Sequence, residues 1–313
     1  LAGMTTKQVA AMETDDVLAV TTAQLVTMTT AQAASLSTDQ IQSLSTGQVS
    51  SLTTKQAAVL TTAQVVALTT SQVGNLTTAQ LAALTTKQVA AMETDDIQAV
   101  TTAQLVALTT AQVAAMTTDQ VVALTTDQVS NLTTAQVAAL TTTQVAVMET
   151  DDVLALTTAQ SLALTTLQVQ ALTTRALVAL VTDVIAGLSS EQVIALRSDQ
   201  AQALTTGQAY ALTSEQVLAL ETQDFASLST AAVQALSTDI VSILSSADII
   251  ALTTAQAQAL ATAQAYALTT LQVETLETAD LVAVTTSAIA ALSSDQIVAL
   301  RTDQAYALST KQA

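Results

Sequence analysis

From Met4 to its last residue the sequence is a run of 39 octads without a single insertion or deletion. A period held that strictly makes the octad the structural unit. With positions lettered a to h from Met4, a is Leu, Met or Val throughout, and f is apolar everywhere except Ser161. These two positions are the candidate core. Position h is mostly Ala or another small residue, which allows close packing, while d and g vary and carry Lys7, Asp39, Gln42 and Tyr210, as outward-facing positions do. Position c is Ser or Thr in all 39 octads, even where its neighbour b becomes Glu13, Val181, Arg197 or Ala261. Position e is Gln in 28 octads, Asp in six and apolar in five, at Ala176, Val184, Ala232, Ile240 and Ala288, so Gln is preferred there without being obligatory.

A continuous helix advances about 100° per residue, so its apolar stripe would rotate by roughly 80° per octad and leave any buried face. A plain strand places a and f, five residues apart, on opposite faces. The chain must therefore turn once per octad. The turn signal is local: 25 octads pair Ser or Thr at b with Gln at e, as in Leu84-Thr85-Thr86-Lys87-Gln88-Val89. That string reads as a capping box with a hydrophobic staple. Thr85 accepts from the Gln88 backbone N–H, the Gln88 side chain reaches back to the Thr85 N–H, and Leu84 packs on Val89. Where b cannot cap, as in Glu13-Thr14-Asp15-Asp16, Thr14 is expected to take over the cap, placing the acids in the first turn against the helix dipole.

The expected fold is all-α: a tightly wound solenoid of very short helices, one octad per helix-plus-corner. Helices this short hold only by stacking on neighbouring coils. Residues 1–313 read as a single octapeptide-repeat solenoid. Leu1-Ala2-Gly3-Met4 does not read as a signal peptide, and the array stops in mid-repeat at Lys311-Gln312-Ala313, so the chain is expected to be a segment of a longer array. The competing fold is a β-solenoid, favoured by Thr, Val and a Gln ladder. Its corners normally use Gly, Asn or Asp for positive φ, and those residues recur at no fixed octad position. A longer repeat also exists: Ala201, Tyr210 and Glu221-Thr222-Gln223-Asp224 recur at Ala257, Tyr266 and Glu277-Thr278-Ala279-Asp280, an offset of 56 residues or seven octads. It leaves the number of octads per coil open.

Proline, cysteine, histidine and tryptophan are absent, which removes thiol and imidazole chemistry and any disulfide, so no catalytic residues and no cofactor are expected. Seven basic against 25 acidic residues give a net charge of -18, which opposes nucleic acid and anionic membrane surfaces as partners. Mean hydropathy is positive, yet a Ser or Thr interrupts every octad, so no apolar run approaches the roughly 20 residues that span a bilayer.

All five octads with Glu at b carry Asp at e: Glu13/Asp16, Glu93/Asp96, Glu149/Asp152, Glu221/Asp224 and Glu277/Asp280. Two carboxylates three residues apart can share a cation, so these ten residues are weak metal candidates. Calcium wants six to eight oxygens, however, and an alternative helix-start chemistry spread by duplication is the preferred reading. Thr-Thr pairs invite an ice-binding reading, against which b tolerates Glu, Arg and Val. Tyr210, Tyr266 and Tyr306, all at g, read mainly as solvent-edge packing and secondarily as contact points for a partner or carbohydrate. Arg197 and Arg301 are expected to pair with acids of adjacent coils.

The array as a whole resembles the L-[ST]-x-x-Q-[VI]-x-[AG] octad tracts of very large bacterial secreted or surface proteins, often described as adhesin-like. That resemblance covers essentially the whole chain. It implies an extracellular or cell-surface setting and a structural role as filament, stalk or surface-layer element that associates with itself, with an adhesin or ligand-binding module as the alternative. It carries over no catalytic residue.

Overall fold

A computed structural model of the protein describes Leu1 and residues 3–308; Lys311-Gln312-Ala313 lies outside the described residues. Two compact units, Leu1–Ala163 and Leu164–Ala313, are distinguished. Both are helical, and among the described residues there is no strand. The all-α solenoid is thus the observed architecture.

Among the described residues each octad from Met4 to Ala307 forms one helix of four to six residues that begins at position c, as in Thr78–Ala83, Thr86–Ala91 and Thr94–Ala99. Between helices the chain turns through two extended residues, a and b: Leu84 has φ -60° and ψ 147°, and Thr85 has φ -73° and ψ 160°. No described residue has positive φ. The corner consequently needs no glycine, which is why glycine is scarce and unplaced in the repeat. The last turn tightens to an i→i−3 bond, Leu84 N–H to Leu81 O at 3.2 Å, which helps end a helix that cannot continue.

Coils close after three octads. In the first unit Thr78–Ala83 packs on Thr54–Ala58, three octads earlier, and on Thr102–Ala107, three octads later. In the second, Thr230–Ala235 lies between Thr206–Ala211 and Thr254–Ala259. Each unit is therefore three columns of stacked helices, with side chains at a and f turned inward: Leu81, Leu84 and Val89 are buried, as are Leu172, Leu177 and Ile249. Phe225, the largest fully buried side chain, stands one coil beyond Ala201, where a small residue at the same octad position leaves it room.

Seven octads are not a multiple of three. The 56-residue repeat thus moves every copied residue to a different column, and duplication has not built a single decorated face.

The cap does not slide where b lacks a hydroxyl. Helix Thr14–Ala19 still starts at Thr14, with Glu13 as N-cap and no side-chain cap bond, and Thr182–Gly187 does the same behind Val181. The two-residue extended corner is set by coil closure, so moving the cap by one residue would shift a and f out of the core.

Candidate functional site

The most structured polar feature is the corner. Gln88 receives the Thr85 N–H on Oε1 at 2.6 Å and donates its own N–H to Thr85 Oγ1 at 3.2 Å, the expected capping box. Its Nε2 then donates to Ala57 O at 3.1 Å and Leu60 O at 2.6 Å, in the corner one coil earlier. One side-chain amide therefore satisfies the helix-start N–H of its own corner and two helix-end carbonyls of the next. The pattern repeats at Gln64 on Ala33 and Leu36, Gln72 on Ile41 and Leu44, Gln208 on Leu177 and Leu180, and Gln216 on Ile185 and Leu188. Three ladders of buried glutamines run along each unit, one per corner. Without its glutamine the carbonyl at a, such as Leu60 O, would stand unpaired at a cost of about 1–3 kcal/mol, whereas the carbonyl at f, such as Ala57 O, keeps the Leu60 N–H at 3.2 Å.

This second role of Gln was not anticipated from sequence, although a signal for it is present. A capping box accepts Glu as readily as Gln, yet Glu occupies e in none of the 39 octads. Only an amide carries the hydrogens that the next coil requires.

Where e is Asp the ladder changes chemistry. Asp96 is 2% exposed and Asp152 5% exposed, and in the register of the array they occupy the places from which Gln would donate to Val65 and Leu68, and to Val121 and Leu124. A carboxylate has no hydrogen to give those carbonyls. Burial pushes Asp96 up to about 6, with the Glu93 and Asp95 charges adding to the rise and the Glu93 backbone N–H opposing it. Asp152 is likewise pushed up to about 6 by burial, among Glu149 and Asp151. In the second unit hydroxyls take over: Ser198 Oγ donates to Asp224 at 2.7 Å, Thr254 Oγ1 to Asp280 at 2.7 Å, and Thr222 Oγ1 to Asp248 at 3.3 Å. All three donors occupy position c of the coil before. The c side chain thus lies against the next coil, as also at Thr278, which donates to Asp303 at 2.6 Å, and at Thr182, whose methyl would lie 3.7 Å from a Cβ at Gly207. Among the described residues no side-chain hydrogen bond accounts for Ser or Thr at the remaining c positions.

The five Glu/Asp pairs are not brought together. Glu13/Asp16, Glu93/Asp96 and Glu149/Asp152 fall in three different columns of the first unit, and Glu221/Asp224 and Glu277/Asp280 in two columns of the second. Among the described residues no three acidic side chains converge as cation ligands. The arginines also differ from expectation. Arg197 and Arg301 pair with Asp199 at 2.9 Å and Asp303 at 3.2 Å within their own octads, and it is backbone carbonyls of an adjacent coil, Gln170 and Glu274, that their guanidinium groups reach. A b side chain points along the corner toward those helix ends rather than across to a neighbouring acid. Tyr210 and Tyr306 share a column, Tyr266 lies in another, and all three are exposed.

Among the described residues no helix is long and apolar enough to cross a membrane. Residues 9–46, 66–93, 89–126, 177–206, 217–254 and 273–310 match one repeat family, described as ALTTAQ repeat, and together make up more than half of the chain. No curated protein matches it.

Proposed function

The chain belongs to the ALTTAQ repeat family, and on that premise we propose that it is a non-enzymatic structural element: an extended filament, stalk or surface-layer component that works outside the cell or on its surface and associates with itself. The observation that carries this reading is the glutamine ladder. Every ladder bond joins one coil to the next, so stability is a sum of nearest-neighbour terms and length can grow by adding octads without redesigning a core. The missing His and Cys and, among the described residues, the absence of any cluster of three acidic side chains support a role without chemistry. Electron microscopy of native material tests the proposal. Ordered fibres built from this chain are expected, whereas dispersed monomeric rods with measurable ligand affinity would sink it.

The second reading, an adhesin or ligand-binding module, is favoured by Tyr210, Tyr266 and Tyr306, large amphipathic side chains that are 64% or more exposed. Glycan-array binding that disappears on Tyr→Ala substitution at these positions is the result it requires.

A further inference from the structure

Helices Ser190–Ile194, Ser214–Ala219, Thr238–Ile243 and Thr262–Ala267 stack in successive coils of the second unit and form one column. Positions d and g are three apart on a helix and share its outer face. Down this column d presents Glu191, Glu215 and Asp239, all exposed. Beside that acidic row position g presents Ile194 at 46% exposure, Leu218 at 54% and Tyr266 at 64%, with Ser242 at g in the third coil and Ile243, at 38%, one position further along at h. The two rows meet in an open groove of about 710 Å³ lined by Asp239, Ser242, Thr262, Tyr266 and Ala291. None of these four octads contains Lys or Arg. Arg197, at the start of the octad that follows Ser190–Ile194, is held by Asp199.

A merely solvated face would not place Ile194, Leu218 and Tyr266 in three of four consecutive coils beside an uncompensated row of carboxylates. Apolar surface concentrated in this way marks a contact site, and apolar neighbours lower the local dielectric, which strengthens ion pairs formed there. The acids repeat once per coil, the spacing of packed helices, about 8–10 Å. Three residues make one full turn of a polyproline II helix, return a side chain to the same face and advance about 9 Å, whereas in a pleated strand every third residue alternates faces. We infer that this face docks a polyproline II segment of a partner protein that carries Lys or Arg at every third position, with apolar residues beside them that cover Ile194, Leu218 and Tyr266. The inference is independent of whether the rods assemble into fibres.

The test uses the full chain and a fluorescently labelled peptide with Lys at every third residue and Pro or Leu between, which favours the polyproline II conformation. Saturable, salt-sensitive binding is expected, weaker by about tenfold or more for the triple variant Glu191→Gln/Glu215→Gln/Asp239→Asn and for Leu218→Ser. All of these sites are exposed, so circular dichroism and melting should be unchanged. A peptide of the same composition with Lys at every fourth residue should bind at least tenfold more weakly. Equal binding of the two peptides would overturn the inference. So would an equal loss on neutralising Asp95 and Asp119 of the first unit, since that marks attraction to net charge alone. Concentration-dependent dimerisation abolished by Leu218→Ser would overturn it too, by assigning the face to a second copy of this chain.

Discussion

Gln80 Nε2 donates to the carbonyl of Leu52, 28 residues earlier, at 2.6 Å. The same amide donates to Val49 O at 2.9 Å and accepts the Thr77 N–H at 2.7 Å. Two coils are thereby joined by a single side chain that also starts a helix.

Gln80→Ala leaves the Thr77 N–H and the buried Leu52 carbonyl without their partners, and about 2–4 kcal/mol of destabilisation is expected from denaturant unfolding. Gln80→Glu keeps the volume but turns the donor into an acceptor facing carbonyls. It should be the worse variant at pH 8 and should recover as the carboxyl takes up a proton in acid. A Glu variant as stable as Gln at pH 8 would show that the donated hydrogens contribute nothing.

Ala232 interrupts a ladder at a fully buried position. In register, Ala232→Gln brings an amide to the Ser229 N–H and to the carbonyls of Ala201 and Leu204. A gain of about 1 kcal/mol is expected, read as a shifted unfolding midpoint and slower amide hydrogen exchange at Ser229. A loss of stability would mean that this corner has closed over the space.

Asp96 and Asp152 give the first unit a pH dependence with a definite sign. Their carboxyls sit near 6 when folded, above the ordinary 3.8, so the folded chain holds their protons more tightly than the unfolded chain does. Their contribution is fully present below about 3.8, falls as pH rises toward 6, and is lost above that. The loss is about 1–3 kcal/mol for each. Melting followed from pH 4 to pH 7.5 should show it, and Asp96→Gln/Asp152→Gln should flatten the profile. An unchanged slope in the double variant would assign the effect to overall charge repulsion instead.

Phe225→Ala opens a large cavity in a core where the preceding coil has only the small Ala201 at the same octad position. Destabilisation of about 3–5 kcal/mol is expected, confined to the coils that touch it because the array is coupled through nearest neighbours. Hydrogen exchange that accelerated uniformly along the second unit would contradict that locality.

The amino-acid sequence by itself determined the octad and its corner. Strict spacing of a and f, with Ser or Thr at b and Gln at e, is enough to require a short capped helix and a turn every eight residues, because capping involves atoms only three residues apart. Leu84, Thr85, Gln88 and Val89 could be assigned their places on that basis. Tertiary structure alone decided that three octads close a coil, and with it the second half of the Gln role. The amide of Gln88 meets Ala57 and Leu60 only after the chain has come full circle, so no local pattern displays the bond. The same closure held Glu13 at the N-cap and kept the cap from moving to Thr14. It also scattered the Glu/Asp pairs and two of the three tyrosines over different columns, since a seven-octad duplication does not divide into coils of three. Short-range hydrogen bonding was legible in the letters, whereas contacts between coils depended on a winding number that eight residues do not encode.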